Sequence, residues 1–157
     1  MSEFYADGRL TLNIAQAPAD LPNAQQQQPF HMPLAMGFLA PDGASLTLSA
    51  ADIESAAATS LRDEGQTLLL GAKESTTELT ISNLQAKPVV SFLRGFSAPV
   101  KVSHERNAEE LAFLVQHDTD GFVRWDAMQT LWMSHLDASA ATTVDPVTVL
   151  GELAKGA

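Results

Sequence analysis

Cysteine is absent from the 157-residue sequence, which excludes disulfide bonds and thiolate metal sites. A reducing compartment fits this composition, so we expect a cytoplasmic protein, although a cysteine-free exported protein would look the same. Basic residues are scarce: nine Lys and Arg stand against 19 Asp and Glu, which gives a formal net charge of −10. Because nucleic acids and anionic membranes attract basic patches, this balance predicts neither as a partner.

Long apolar runs are also missing from the sequence. No stretch approaches the ~20 apolar residues of a membrane-spanning helix. The N-terminal letters MSEFYADG lack the basic and then apolar order of a signal peptide. With 45% hydrophobic and 18% charged residues, the chain can nevertheless bury a core. Its length suits one ordinary domain, or one small domain with part of another.

The first two thirds of the sequence have the two-residue period of β-strands. In RLTLNI, residues 9–14, leucine and isoleucine alternate with polar side chains, as in a half-buried strand. The further candidates are HMPLAMGF (31–38), with Met32, Leu34, Met36 and Phe38 on one face, SLTLS (45–49), TLLL (67–70), TTELTIS (76–82), VVSFL (89–93) and APVKVSH (98–104). About seven short strands without a convincing long helix between them predict an antiparallel, immunoglobulin-like β-sandwich.

Several connections between these strands carry turn or loop signals. Turn residues stand at Pro41-Asp42-Gly43, at Glu64-Gly65 and at Gly95. QAPADLPNAQQQQP, residues 16–29, is interpreted as an exposed loop, with a glutamine-rich recognition segment as the alternative. AADIESAAATS, residues 50–60, is compatible with a helix and equally with a long loop.

The period becomes helical after residue 105. Ala108, Leu111, Ala112 and Val115 share one side of a first helix, and Asn107 and Glu110 form an N-x-x-E pair that resembles a capping box at its start. A second helix is predicted over about 120–137, burying Phe122, Trp125, Met128, Trp132 and Leu136. Asp145-Pro146 is typical of a third helix start. We divide the chain into a sandwich, 1–105, and two to three helices, 106–157, and expect that it is a piece of a longer protein.

His104-Glu105 is half of H-E-x-x-H, in which two histidines one helical turn apart hold zinc. The position of the second histidine is occupied by Ala108, and the pair precedes the helix cap at Asn107. HDTDG, residues 117–121, resembles a calcium-binding loop. If Asp118 is taken as position 1, its glycine is at position 4, whereas the calcium loop of an EF-hand has glycine at position 6. We interpret HDTDG as a turn between helices, with Asp120 capping the second.

The remaining candidate functional sites have equally little support in the sequence. The four histidines, His31, His104, His117 and His135, are scattered, and no G-x-S-x-G nucleophile elbow is present. Trp125 and Trp132, seven residues apart, favour core packing over ligand stacking. Arg124 and Asp126 suit a surface pair or, by a mild preference, a contact between domains. No catalytic, cofactor-binding or metal-binding residue is predicted.

Two longer stretches carry a resemblance. These are GFSAPVKV (95–102) and ELAFLVQHDTDGFVRWDAMQTL (110–131), with weaker similarity through HMPLAMGFLAPDG and RLTLNIAQ and none over residues 50–75. The matching positions are Phe96 to Lys101, Leu111 to Leu114, His117, Phe122, Arg124, Trp125, Asp126, Ala127 and Gln129. The pattern resembles the bacterial aminopeptidase N (alanyl aminopeptidase) family of zinc exopeptidases.

The resemblance implies a position within a longer enzyme. It aligns the chain with a small sandwich and the first helices of a C-terminal helical domain, which follow the catalytic domain. The family's zinc motif H-E-x-x-H and its G-A-M-E-N motif do not occur in this sequence, so no catalytic residue carries over. We expect a noncatalytic bridge that holds no cofactor itself and has the catalytic and helical domains of the same chain as partners. Zinc and the peptide substrate would belong to the longer enzyme. The alternative is a stand-alone sandwich that binds a protein or a carbohydrate.

Overall fold

The computed structural model describes residues 1–17, 28–136 and 144–155, and in them eight strands precede three helices. The strands are β1 (Ser2–Ala6), β2 (Arg9–Ala15), β3 (Met32–Leu39), β4 (Ile53–Ser55), β5 (Ala58–Arg62), β6 (Thr67–Ala72), β7 (Thr76–Ile81) and β8 (Val89–Phe92). They form two antiparallel four-stranded sheets, in the orders β1-β2-β7-β4 and β5-β6-β3-β8. The predicted antiparallel sandwich with helices after it is confirmed.

The helices are α1 (Ala108–His117), α2 (Gly121–Leu136) and α3 (Pro146–Lys155). Each begins at a side-chain cap that the sequence predicted. The Asn107 carboxamide oxygen accepts the Glu110 N–H at 2.8 Å, Asp120 accepts the Val123 N–H at 3.0 Å, and Asp145 accepts the Val147 N–H at 3.0 Å. These bonds satisfy backbone donors that have no partner within the helix. The two residues after Lys155 lie outside the described residues.

Two predicted strands are wrong, because their backbone groups form at most one isolated bridge, between Ser45 and Leu39 of β3. In residues 45–49, Leu46 N–H donates to Phe38 O and Leu48 N–H to Gly65 O, and Ser49 then begins a short 3₁₀ turn. Residues 98–104 form no ladder, and Val100 N–H folds back onto Ala98 O. In both segments the alternating apolar side chains anchor an irregular connection, which periodicity alone does not distinguish from a strand.

Three strands were missed. Residues 50–60, expected to be helical or a loop, contain β4 and β5 after a 3₁₀ turn at Ala50–Asp52. Strand β1 pairs with β2 through a two-residue turn, in which Asp7 and Gly8 have φ of 50° and 72°. Asp-Gly is a strong hairpin signal, since both residues tolerate positive φ. The glutamine-run loop expected at 16–29 lies largely outside the described residues.

Strand β3 is buried on both faces, although one apolar face was predicted. Its inner residues Leu34, Met36 and Phe38 belong to the core between the sheets. Its last residue, Leu39, belongs instead to a second core formed mostly by helical residues, including Leu111, Leu114, Val115, Val123, Ala127 and Leu131. The helices therefore pack on the outside of the second sheet.

The predicted buried face of α2 is wrong for Trp125 and Leu136, whereas Phe122, Met128 and Trp132 are half-buried. The structure buries Val123, Ala127 and Leu131 instead, which are also spaced at one helical turn. Trp125 is 57% exposed and Leu136 is 71% exposed. These residues form one core with Leu111, Leu114 and Val115 of α1.

Candidate functional site at the sandwich–helix junction

The residues that sequence motifs singled out do not converge. His31, His117 and His135 are exposed, and His104 is partly buried in the irregular segment after residue 97. Within the described residues, no three His, Asp or Glu side chains come close enough to share a metal ion. The described side chains therefore do not fit a zinc site.

The strongest polar cluster lies where the second sheet meets the helices. Arg94, which follows β8, is only 8% exposed. Its Nε donates to Ser91 Oγ at 2.8 Å, and its Nη1 lies 3.3 Å from both Gln66 O and Thr67 Oγ1. Its Nη2 lies 3.3 Å from Oδ1 of Asp118, in the turn between α1 and α2. Arg94 thus connects three parts of the sandwich to the helices.

Asp118 and Asp120 complete this connection from the helical side. Oδ1 of the buried Asp118 also accepts the Asp120 N–H at 2.9 Å. Asp120 uses one carboxylate oxygen to cap α2 and the other to accept the Gly95 N–H at 2.9 Å. The segment HDTDG is therefore an interhelical turn, as predicted, and it also bonds to the sandwich.

The turn that presents Arg94 has an uncommon backbone. Leu93, Gly95 and Phe96 have φ of 60°, 61° and 52°, in the left-handed region. For a residue with a Cβ atom this conformation costs about 1–2 kcal/mol. Space for the guanidinium comes from Gly37 in β3, where an added Cβ atom would collide with Cζ of Arg94. The buried position of Arg94 therefore requires a glycine at residue 37.

A second cluster ties the segment before α1 to β8. Arg106 Nη2 donates to Val90 O at 2.7 Å, and Arg106 Nε donates to His104 Nδ1 at 2.9 Å. Burial, and then the neighbouring Arg106 guanidinium, lower the pKa of His104 from 6.5 to about 4. His104 is therefore a neutral acceptor at physiological pH, which is compatible with its structural position.

A third connection is an ion-pair network at the surface. Lys87 Nζ lies 2.8 Å from the carboxylate of Glu3 in β1 and 3.6 Å from that of Glu110 in α1. The hydrogen bond to Glu3 raises the pKa of Lys87 above its ordinary value, against a smaller effect of burial. Glu110 thus does not close the predicted capping box, because its carboxylate faces Lys87.

Sequence reasoning missed Arg94 as a junction residue. The signal was a single charged residue inside the apolar stretch SFLRGF, directly before a glycine. For Arg124 and Asp126, the sequence predicted a surface ion pair or a contact between domains. In the structure Arg124 Nε donates to Val115 O at the end of α1, at 3.0 Å, and both side chains are exposed.

These features define an immunoglobulin-like sandwich with a helical unit bonded to its outer face. A family model described as "Domain of unknown function (DUF3458) Ig-like fold" matches residues 1–105, and one described as "Domain of unknown function (DUF3458_C) ARM repeats" matches residues 108–155. The chain belongs to the DUF3458 family.

The most informative relatives are aminopeptidases. The chain is 28% identical over 131 residues to aminopeptidase N of Escherichia coli (strain K12), a match covering 83% of this chain and 14% of the relative. It is 45% identical over 60 residues to aminopeptidase N of Caulobacter vibrioides, covering 38% and 7%. The expected resemblance to aminopeptidase N is confirmed.

A solved structure agrees with these relatives. The crystal structure of Legionella pneumophila aminopeptidase A in complex with aspartic acid matches 82% of this chain and 12% of its own, with 26% identity and a TM-score of 0.59. The chain thus spans a small part of every relative named, and it is similar to part of a peptidase. Among the residues that the structure describes, no helix is long and apolar enough to cross a membrane.

Proposed function

We propose that this chain is a noncatalytic bridging part of a longer, zinc-dependent aminopeptidase. The observation that carries this proposal is that the similarity to aminopeptidase N runs over 131 residues, through both the sandwich and the helices, while covering 14% of that protein. The chain would be followed and preceded by other parts of the same polypeptide, which are its partners in this proposal. Zinc and the peptide substrate would be bound by the catalytic part.

The junction suggests how such a bridge would work. Its orientation would be set by the buried Arg94–Asp118 pair, the Asp120–Gly95 bond and the Arg106–Val90 bond. Each joins the sandwich to the helices or to the segment leading into them, so the unit would move as one body. Because small misplacements of remote parts can reduce an enzyme's rate by ~100-fold, a rigid bridge can matter to catalysis. The proposed domain division, 1–105 and 106–157, passes through this junction.

The proposal is tested first in the gene. A reading frame that continues from this segment and encodes H-E-x-x-H and G-A-M-E-N supports it. A frame that ends at these 157 residues contradicts it and favours the stand-alone binding module. The purified 157-residue chain should not hydrolyse aminoacyl-anilides with or without added zinc. Zinc-dependent hydrolysis by this chain would contradict a noncatalytic role.

A sharper test uses the full-length protein. Asp118→Asn should lower kcat/KM several-fold at unchanged zinc content, because the buried charge that orients the helices is lost. Asp126→Asn on the exposed side of α2 is the matched control and should have the activity of the parent protein. Equal activity of the two variants would contradict a role for the junction in positioning.

A further inference from the structure

Strand β7 has neighbouring strands on both sides over only half of its length. On one side, β2 pairs with all of β7, from Thr76 to Ile81. On the other side, β4 pairs only with residues 79–81. After Ser55 the chain leaves this sheet and enters the second sheet as β5. Residues 76–78 therefore have an open side.

Backbone groups of these residues point to the open side. Ser55 Oγ donates to Glu78 O at 2.8 Å, so this carbonyl is directed away from β2. In a paired strand, the N–H and C=O of one residue point to the same side, and the side alternates from residue to residue. The Glu78 N–H and both backbone groups of Thr76 therefore face the open side as well. Among the described residues, no backbone group pairs with them there.

The open side of β7 lines a groove of about 680 Å³. This volume is typical of ligand-binding clefts, which measure about 300–1,000 Å³. The groove is also lined by the three alanines at 56–58 and by Gly71 of β6, whose small size leaves room for an added segment. Because β6 and β7 belong to different sheets, the groove lies at the edge of the sandwich between the two sheets.

The lining of the groove is mostly polar, and its charge is acidic. The charged residues are Glu54, Glu74 and Glu78, with Lys73 as the one cation of the lining. Glu54 is paired with Arg9 at 2.7 Å. Glu74 and Glu78 are exposed, and no cation among the described residues lies within ion-pair distance of them. The groove therefore favours a positively charged occupant, as does the net charge of −10.

We propose that this groove binds an extended segment of another protein, which pairs with β7 as an added strand and carries lysine or arginine on its outer face. An extended peptide can add a strand to an exposed sheet edge, where backbone bonds supply affinity and side-chain contacts supply specificity. The residue opposite Glu78 would be cationic, because opposite charges that face each other across two strands attract. Alternate residues would face the alanines and Gly71. The proposal does not depend on the proposed function, since all these residues belong to the sandwich.

Other occupants fit the groove less well. If the β7 edges of two copies paired, acidic side chains would face each other, and like charges across strands are destabilising. Permanent cover by another part of the same polypeptide would suit a more apolar lining, because permanent interfaces are more hydrophobic than transient ones. Only residues 76–78 of β7 are open, so we expect weak and reversible binding.

Fluorescence anisotropy with the full-length protein tests the proposal. The probe is the peptide TKVKVKT, acetylated at its amino terminus so that an aminopeptidase cannot shorten it, and labelled with fluorescein at its carboxyl terminus. The control peptide TEVEVET keeps the alternation and reverses the charge. In the protein, Glu78→Lys reverses a charge in the groove. Glu64→Lys is the matched control, because this exposed residue lies in the turn between β5 and β6, outside the groove.

The lysine peptide should bind saturably and at least about fivefold more tightly than the glutamate peptide. Glu78→Lys should weaken this binding about fivefold, and Glu64→Lys less than about twofold. Hydrogen exchange, resolved to single amides by fragmentation in the mass spectrometer, should slow at Thr76 and Glu78 when the lysine peptide is bound. This last readout reports strand pairing, which a general attraction between opposite charges does not produce.

Four results would overturn the proposal. The first is the absence of saturable binding of the lysine peptide. The second is an equal effect of Glu78→Lys and Glu64→Lys, which would indicate a general attraction to an acidic protein. The third is binding without slower exchange at Thr76 and Glu78. The fourth is slow exchange at both amides before peptide is added, which would mean that another part of the polypeptide or a second copy already occupies the groove.

Discussion

Arg94→Met tests whether the buried ion pair joins the sandwich and the helices into one cooperative unit. Methionine keeps much of the length of the side chain and removes all its hydrogen-bond donors. Asp118, which is 3% exposed, then keeps its charge and loses its cationic partner. Among the described residues its other carboxylate oxygen, Oδ2, already has no hydrogen-bond partner. The variant therefore leaves a buried carboxylate with the Asp120 N–H as its remaining donor.

The expected loss is large. Removing one member of a buried ion pair costs about 3–5 kcal/mol, because the remaining charge stays away from water. For a chain of this size each kcal/mol lowers Tm by about 2–4 °C, so Tm should fall by about 6–20 °C. The matched control is Arg9→Met, since Arg9 pairs with Glu54 at 2.7 Å but both side chains are more than half exposed. It should cost no more than about 1 kcal/mol.

Chemical unfolding with two probes is the appropriate assay. Trp125 and Trp132, the two tryptophans of the chain, both lie in α2, so their fluorescence reports the helices. Amide exchange in β2 and β7 reports the sandwich. The two transitions should coincide in the parent chain, and in Arg94→Met the helices should unfold first. A loss within 1 kcal/mol of the Arg9→Met value, with coincident transitions, would refute the reasoning.

Three further predictions concern single sites. The unfolding free energy should fall as pH drops from about 6.5 to about 4, because His104 is protonated at higher pH in the unfolded chain than in the folded one. In His104→Asn the unfolding free energy should depend less steeply on pH over this range. Asn107→Ala should cost ~1 kcal/mol in urea unfolding through loss of the α1 cap; an unchanged midpoint would contradict that role. In the 157-residue chain, Leu131→Ala should cost about 2–5 kcal/mol, whereas Trp125→Gln should stay within about 0.5 kcal/mol, and a reversed order by calorimetry would reverse the assignment of the α2 faces.

Local signals in the sequence were sufficient to predict where the three helices begin. Asn107, Asp120 and Asp145 were predicted as caps and act as caps, because a cap depends on residues within one turn of it. The strand at residues 9–14 was equally readable from alternation alone. Residues 45–49 and 98–104 alternate too, yet form no strand. Whether an extended segment pairs depends on distant backbone partners, which local spacing does not reveal.

The junction could not be predicted in this way. Arg94 and Asp118 are separated by 24 positions; Arg94 belongs to no spacing motif, and Asp118 was interpreted only as part of the HDTDG turn. Their contact depends on Gly37, which leaves room on β3, and on the packing of α1 and α2 against the second sheet. Only the lone arginine in SFLRGF hinted at a buried polar group.

The sequence by itself determined the class of fold, the change from strands to helices near residue 105, the helix caps and the resemblance to aminopeptidase N. These depend on composition, on short periods and on adjacent residues. The tertiary structure decided which face of α2 is buried and which residues join the two parts of the chain. Both faces of α2 are apolar, so periodicity allowed either one. The face of Val123, Ala127 and Leu131 is buried because it meets the apolar side chains of α1 in one core, a contact that depends on how the two helices pack and not on the spacing within α2.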